Sequence, residues 1–150
     1  MKRDRLFITL FALMTLVHAN NNLEISTKLL EEVSQGSTKH LKDLNEAIPG
    51  NVIAYQHTIK NPTSMVAKDV VFSDKIPLHT TYVPNSATCN NECTIQYSVD
   101  GEVFEKASEL FVYNRTLKLA NPKKYRFIRW VFNELKPNSK IVILFKTKID

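Results

Sequence analysis

The chain has 150 residues, with 20 Lys+Arg against 15 Asp+Glu, three glycines and two cysteines. That length suits one domain around one core and leaves no room for a second. A formal net charge of +5 is mild for a dedicated nucleic-acid binder, so nucleic acid is not an expected partner.

Met1 to Ala19 reads as a secretory signal: Lys2, Arg3 and Arg5 form the charged start, Leu6 to Val17 the apolar run, and Val17-His18-Ala19 the cleavage region. A run of about a dozen apolar residues falls short of the roughly 20 needed to cross a bilayer. We therefore expect a mature chain from Asn20 without a transmembrane anchor, exported to the periplasm, the cell surface or the medium. Cleavage would take Lys+Arg from 20 to 17 and Asp+Glu from 15 to 14, leaving a net charge of +3.

Leu23 to Leu29 alternates as a first strand, although Leu29, Leu30 and Val33 also suit a helical face. Ser34 to Thr38 breaks the chain, and the charged Lys39 to Glu46 segment reads as a surface loop with a short helical turn. Pro49-Gly50 then punctuates the clearest period-2 run in the sequence. Ile53, Tyr55, His57 and Ile59 share one face, and Ala54, Gln56, Thr58 and Lys60 the other, before Asn61-Pro62 ends the strand.

Val66 to Asp74 reads as the next strand, closed by Ile76-Pro77 because proline cannot donate to a central ladder. Thr80 to Val83 is a short strand, Thr88 to Cys93 a pinched loop and Thr94 to Val99 a further strand. Asp100-Gly101 signals a two-residue hairpin with Val103-Phe104 returning from it. Leu110 to Tyr113 is short, and Asn121-Pro122 marks a turn. Tyr125 to Phe132 and Lys140 to Ile149 are the longest β-type runs, the second expected centrally in a sheet with both faces largely covered. About eight or nine short strands separated by turn signals predict an all-β antiparallel sandwich.

Cys89 and Cys93 read as a disulfide in an oxidising compartment. A zinc site would want two further ligands and a redox pair the Cys-x-x-Cys spacing. No cofactor, metal site or catalytic residue is expected. The glycines all fall at turns, the histidines His40, His57 and His79 are scattered, and no serine stands in a nucleophile elbow. Asp69/Asp74 and Glu102/Glu105 invite a carboxylate-pair reading that spacing alone does not support, and Asp100 reads as a turn residue. The run Lys123-Lys124-Tyr125-Arg126-Phe127-Ile128-Arg129-Trp130 interleaves basic and aromatic residues. It makes Lys123, Lys124, Arg126 and Arg129 a candidate polyanion-binding set for an anionic glycan or lipid, weighed against a solvated strand edge. Asn114-Arg115-Thr116 satisfies the glycosylation triplet.

The Pro49-Gly50-Asn51 to Asn61 stretch resembles the opening of the conserved repeat domain of bacterial surface proteins, domain of unknown function 11. Val70 to Pro77, Thr81 to Ser86, and Ile128-Arg129-Trp130 through Leu135-Lys136-Pro137-Asn138-Ser139 resemble later segments of that family in the same order, and Tyr97 to Phe104 resembles a variant piece. His57 stands where the family pattern has an aliphatic residue, and Asn51 and Asn138 where an acidic residue or glycine is common. The resemblance implies an immunoglobulin-like sandwich in an exported protein, with Trp130 in the core and the module present once. It implies no reaction. The functional expectation is a non-enzymatic structural or interaction module of the bacterial cell envelope or surface, docking an envelope or surface protein, itself included, through an exposed edge strand. The alternative is a periplasmic binding domain for a small solute or anionic glycan.

Overall fold

The computed structural model describes residues 22–150, so the secretory signal expected over 1–19 lies outside the described residues. In chain order the strands are β1 (Glu24–Gln35), β2 (Thr38–Asp43), β3 (Val52–Asn61), β4 (Ala67–Lys75), β5 (Thr80–Tyr82) and β6 (Thr88–Cys89). They continue as β7 (Thr94–Ser98), β8 (Phe111–Asn114), β9 (Thr116–Leu119), β10 (Phe127–Leu135) and β11 (Ser139–Ile149), with a 3-10 turn at Pro122–Lys124 before β10. One sheet has the order β2-β1-β3-β11-β5 with β6 also on β11, a second has the order β4-β10-β7, and β8-β9 is a separate hairpin. Every pairing is antiparallel. The two larger sheets face each other as a sandwich.

The core forms where the period-2 faces meet. Ile53, Tyr55, His57 and Ile59 of β3, with Ile141, Ile143 and Phe145 of β11, are buried against Val70 and Phe72 of β4 and Ile128, Trp130 and Phe132 of β10. Trp130 is fully buried, meets Phe72 edge-on at 5.9 Å, and donates its indole N–H to the Thr88 carbonyl at 3.2 Å, so its polar tip costs little inside. β10 and β11 are consecutive but lie in different sheets, so the Lys136–Asn138 turn carries the chain from one sheet to the other. Asn138 takes φ +52 there, a conformation asparagine tolerates better than most residues. Buried Asn61 ties this corner down: its Nδ2 donates to the Met65 and Leu135 carbonyls at 2.7 and 3.1 Å, and its Oδ1 accepts from Thr63.

Several sequence expectations change. Lys39–Glu46 is not a loop with a helical turn: Thr38–Asp43 is β2, turned back at Gly36 and paired along a β1 that runs to Gln35 rather than stopping near Leu29. Its residues lack an apolar period, and the ladder with β1 and the ion pairs Lys39–Glu32 (2.9 Å) and Lys42–Glu31 (3.4 Å) decide the outcome. The Asp100-Gly101 hairpin is wider than two residues, returning only at a single bridge between Tyr97 and Glu105. β9 has no counterpart in the expected elements. β11 is central as expected, but its second face, carrying Val142, Leu144 and Lys146, is only partly covered.

Candidate interaction surfaces

β4 is hydrogen-bonded to β10 on one side and, among the described residues, has no neighbouring strand on the other. The Ile76 N–H donates to the Arg126 carbonyl at 2.9 Å. Backbone groups of alternate residues point the same way in an antiparallel ladder, so Val71, Ser73 and Lys75 turn theirs outward. The Lys75 amide is taken by Asp74 Oδ1 at 2.8 Å. Asp69, at φ +52, and the exposed Lys68 disrupt the strand's first half. What stays open is a short run whose donors and acceptors centre on Val71 and Ser73, flanked by exposed Met65 and Val66. The other edges are less available: β2 is lined by Lys39, His40 and Lys42, β5 has three residues, and Glu105 bridges β7.

Asp74, His57 and Asp100 make contacts within the fold. Asp69 and Asp74 are five apart on one strand and take opposite faces, which separates them. Asp74 turns inward, its Oδ2 2.9 Å from Nε2 of buried His57, close but off the line of a good N–H donation. Nδ1 of the same ring lies 2.8 Å from the Thr27 hydroxyl, directly across the β1–β3 ladder. His57 is thus a core imidazole held between two sheets, on the face that its position in the period assigned. Asp100 is fully exposed, and its carboxylate accepts from the Glu102 and Val103 amides and the Ser98 hydroxyl at 2.8, 3.1 and 2.9 Å, which lowers its pKa below the usual range. That is turn chemistry. Among the described residues no group of three or more His, Cys, Asp and Glu side chains could hold a metal ion.

Cys89 and Cys93 are bonded to each other. The bridge pins the segment between β6, which pairs with β11, and β7.

The candidate polyanion residues divide. Lys123 and Lys124 sit in the 3-10 turn and, with Arg126, are exposed. Arg129 is committed elsewhere: its guanidinium stacks 4.1 Å over the Phe104 ring and donates to Gln96 Oε1 at 3.0 and 2.8 Å, and burial lowers its pKa. Two of the three interleaved aromatics are unavailable for stacking on a ligand. Tyr125 is buried against Tyr97 at 4.6 Å and Trp130 is in the core. Lys123 also borders an open cleft of about 480 Å³ at one end of the sandwich, with Lys148, Asp150, Tyr82 and Pro84.

The surface that the sequence reading missed is the β8–β9 hairpin. Its register pairs Phe111 with Leu119 and Tyr113 with Leu117, so all four side chains share one face. They are 52, 51, 78 and 67% exposed. The opposite face carries Val112, which packs against the core, and the hairpin's feet are buried Leu110 and Ala120, joined by a 2.8 Å bond from the Ala120 amide. Asn114-Arg115-Thr116 forms the tip, with Arg115 at φ +61. The available signal was the near-mirror order Phe-x-Tyr and Leu-x-Leu about Asn114-Arg115-Thr116, which places four apolar side chains on one face of any hairpin turned there. The chain matches no family model, no curated protein and no solved structure.

Proposed function

We propose that this protein is a non-enzymatic, exported interaction module of the bacterial cell envelope or surface that docks a partner by strand addition along β4. The observation that carries the reading is the unpaired β4 edge, where Val71 and Ser73 present backbone donors and acceptors to solvent between partly covered side chains. Main-chain pairing supplies affinity in such docking, and the flanking Met65 and Val66 offer apolar contact to the added strand. Export is supported by the charged start and short apolar run of residues 1–19 and by the paired Cys89 and Cys93, since disulfides persist in oxidising compartments. The resemblance of four successive segments to the conserved repeat domain of bacterial surface proteins points the same way.

Proline at an outward-facing edge position removes a donor without touching the ladder to the neighbouring strand. A photo-crosslinker at Lys68 in intact cells should join the protein to an envelope or surface protein, or to another copy of itself, in near-equal amount. Ser73→Pro, with an unchanged melting temperature, should abolish that product. A product that survives Ser73→Pro, or no product at all, would remove β4 as the docking edge. The second reading, a binding domain for a small solute or anionic glycan, is favoured by the cleft that brings Lys123 and Lys148 together. It requires a ligand-dependent rise in melting temperature that Lys123→Glu removes.

A further inference from the structure

We propose that the β8–β9 hairpin is a membrane-docking element, whose occupant is the surface of an anionic lipid bilayer. The inference uses a surface other than β4 and stands or falls apart from it.

Two observations converge on the hairpin. The first is its exposed apolar face. Phe111, Tyr113, Leu117 and Leu119 stand side by side on a two-stranded ribbon that pairs with no other strand among the described residues. Single exposed apolar residues are ordinary, but four contiguous large ones on one face of a projecting element mark an interaction site. The second is charge. Between Glu109 and Glu134 the chain has six basic residues, Arg115, Lys118, Lys123, Lys124, Arg126 and Arg129, and no acidic one. The remainder of the sequence therefore holds 14 Lys+Arg against 15 Asp+Glu, so the whole positive excess of the 150-residue chain lies in the hairpin and the strand that follows it. Arg129 is occupied by Gln96 and Phe104, which leaves five cations: Arg115 at the hairpin tip, Lys118 on the ribbon, and the exposed Lys123, Lys124 and Arg126 in the segment that follows it.

An anionic bilayer matches both. Its headgroup layer attracts basic residues near an apolar surface, and its acyl boundary accepts side chains to a depth of about 5–10 Å. Tyrosine, the most exposed of the four, is favoured at that boundary because its ring is apolar and its hydroxyl stays wet. A hairpin whose strands pair with each other brings its central backbone groups to the interface already hydrogen-bonded. A soluble protein partner would need an apolar groove rimmed with acids, and a second copy would oppose two basic segments of like charge. The bilayer meets both features without a dedicated partner. Among the described residues no helix is long and apolar enough to cross a membrane, so the contact proposed is peripheral.

The test is vesicle flotation of the full chain and of Tyr113→Ser/Leu117→Ser, using vesicles of zwitterionic lipid alone and with 40% phosphatidylglycerol added, a proportion of about the order that makes a surface strongly anionic. Both proteins carry the same leader, so the difference between them reports the hairpin. Wild type should float with the anionic vesicles at least about tenfold more than the double variant, and high salt should weaken binding. In a Leu117→Trp protein, tryptophan emission should shift to the blue on adding anionic vesicles and stay unmoved with zwitterionic ones. Equal flotation of wild type and double variant, or no emission shift, would overturn the proposal. So would a concentration-dependent dimer that the double variant abolishes, since the face would then belong to a second copy. Retained flotation of Ser73→Pro separates this result from the fate of β4.

Discussion

Strand β10 and the β8–β9 hairpin use the same sequence device to opposite ends. Along β10, Ile128, Trp130 and Phe132 alternate with partly exposed residues and end at most 1% exposed, because β4 and β7 flank them and the facing sheet covers them. Along the hairpin, Phe111, Tyr113, Leu117 and Leu119 also alternate, yet the apolar face is the open one and only Val112 turns toward the core. Alternation assigns side chains to a face. Whether that face is covered depends on what the rest of the chain places opposite it, which a period in sequence does not contain.

The comparison breaks most easily at its buried end. Trp130→Ala should cost about 3–5 kcal/mol of unfolding free energy in urea titration, the range for deleting a buried aromatic that leaves a cavity. A cost below about 1 kcal/mol would mean that the sandwich does not enclose the indole as described.

The interior is also distinguished by how it resists ionisation. Burial pushes the Tyr55 phenol up to about 12, with a smaller contribution from the Asp74 carboxylate, and burial raises Tyr97 and Tyr125 as well. A raised folded-state pKa means stability that is complete below the unfolded value near 10 and is lost as pH climbs toward the folded value. The Tyr55 contribution should therefore fall by about 2 kcal/mol between pH 10 and 12. Tyr55→Phe should flatten part of that fall while leaving neutral-pH stability close to wild type. Among the described residues the Tyr55 hydroxyl has no hydrogen-bond partner, with the Thr147 hydroxyl near it but outside hydrogen-bonding geometry, so no bond is lost. An identical alkaline profile in Tyr55→Phe would place this ring in solvent.

Much of the sandwich was legible because its strongest strands carry their own punctuation. Pro49-Gly50 before β3, Asn61-Pro62 after it, and Pro137-Asn138 between β10 and β11 all stand where the chain turns. The faces of β3 were legible for the same reason, down to His57. What escaped were elements that neighbours decide. β2 has no apolar period and exists because β1 offers it a ladder, and Lys39–Glu46 read alone looks like solvent-exposed loop. The polyanion set was half legible: the charges of Lys123, Lys124 and Arg126 are exposed, but nothing in the order of residues says that Phe104 would fold over Arg129. The Asp100-Gly101 turn was visible in its residues and not in its width, which the Tyr97–Glu105 bridge sets from outside.

That turn gives the next smaller effect. Gly101 takes φ +86, and a Cβ there would meet the Phe127 ring at 2.9 Å. Gly101→Ala should cost about 1–2 kcal/mol from the unfavourable backbone conformation and the displaced ring. Gly36→Ala, also at positive φ but in open space, should cost less. Equal costs would show that backbone strain alone sets the penalty.

The smallest expected effect is the most informative about the comparison. Tyr113→Ser/Leu117→Ser removes two large apolar side chains from a strand pair, which in β10 would unfold the protein, yet on the open hairpin face it should change stability by no more than about 0.5 kcal/mol. Cross-strand contact between Tyr113 and Leu117 contributes a few tenths at most, and in the isolated protein their outer surfaces face water in both folded and unfolded chains. A loss above about 2 kcal/mol in urea titration would show that the hairpin folds back as a third layer of the core, and its apolar face would then need no external partner. A near-zero loss leaves Tyr113 and Leu117 as two exposed apolar side chains that contribute nothing measurable to folding. Retaining them on a hairpin that carries Arg115 and Lys118 and leads into a basic segment then fits burial against something outside the chain.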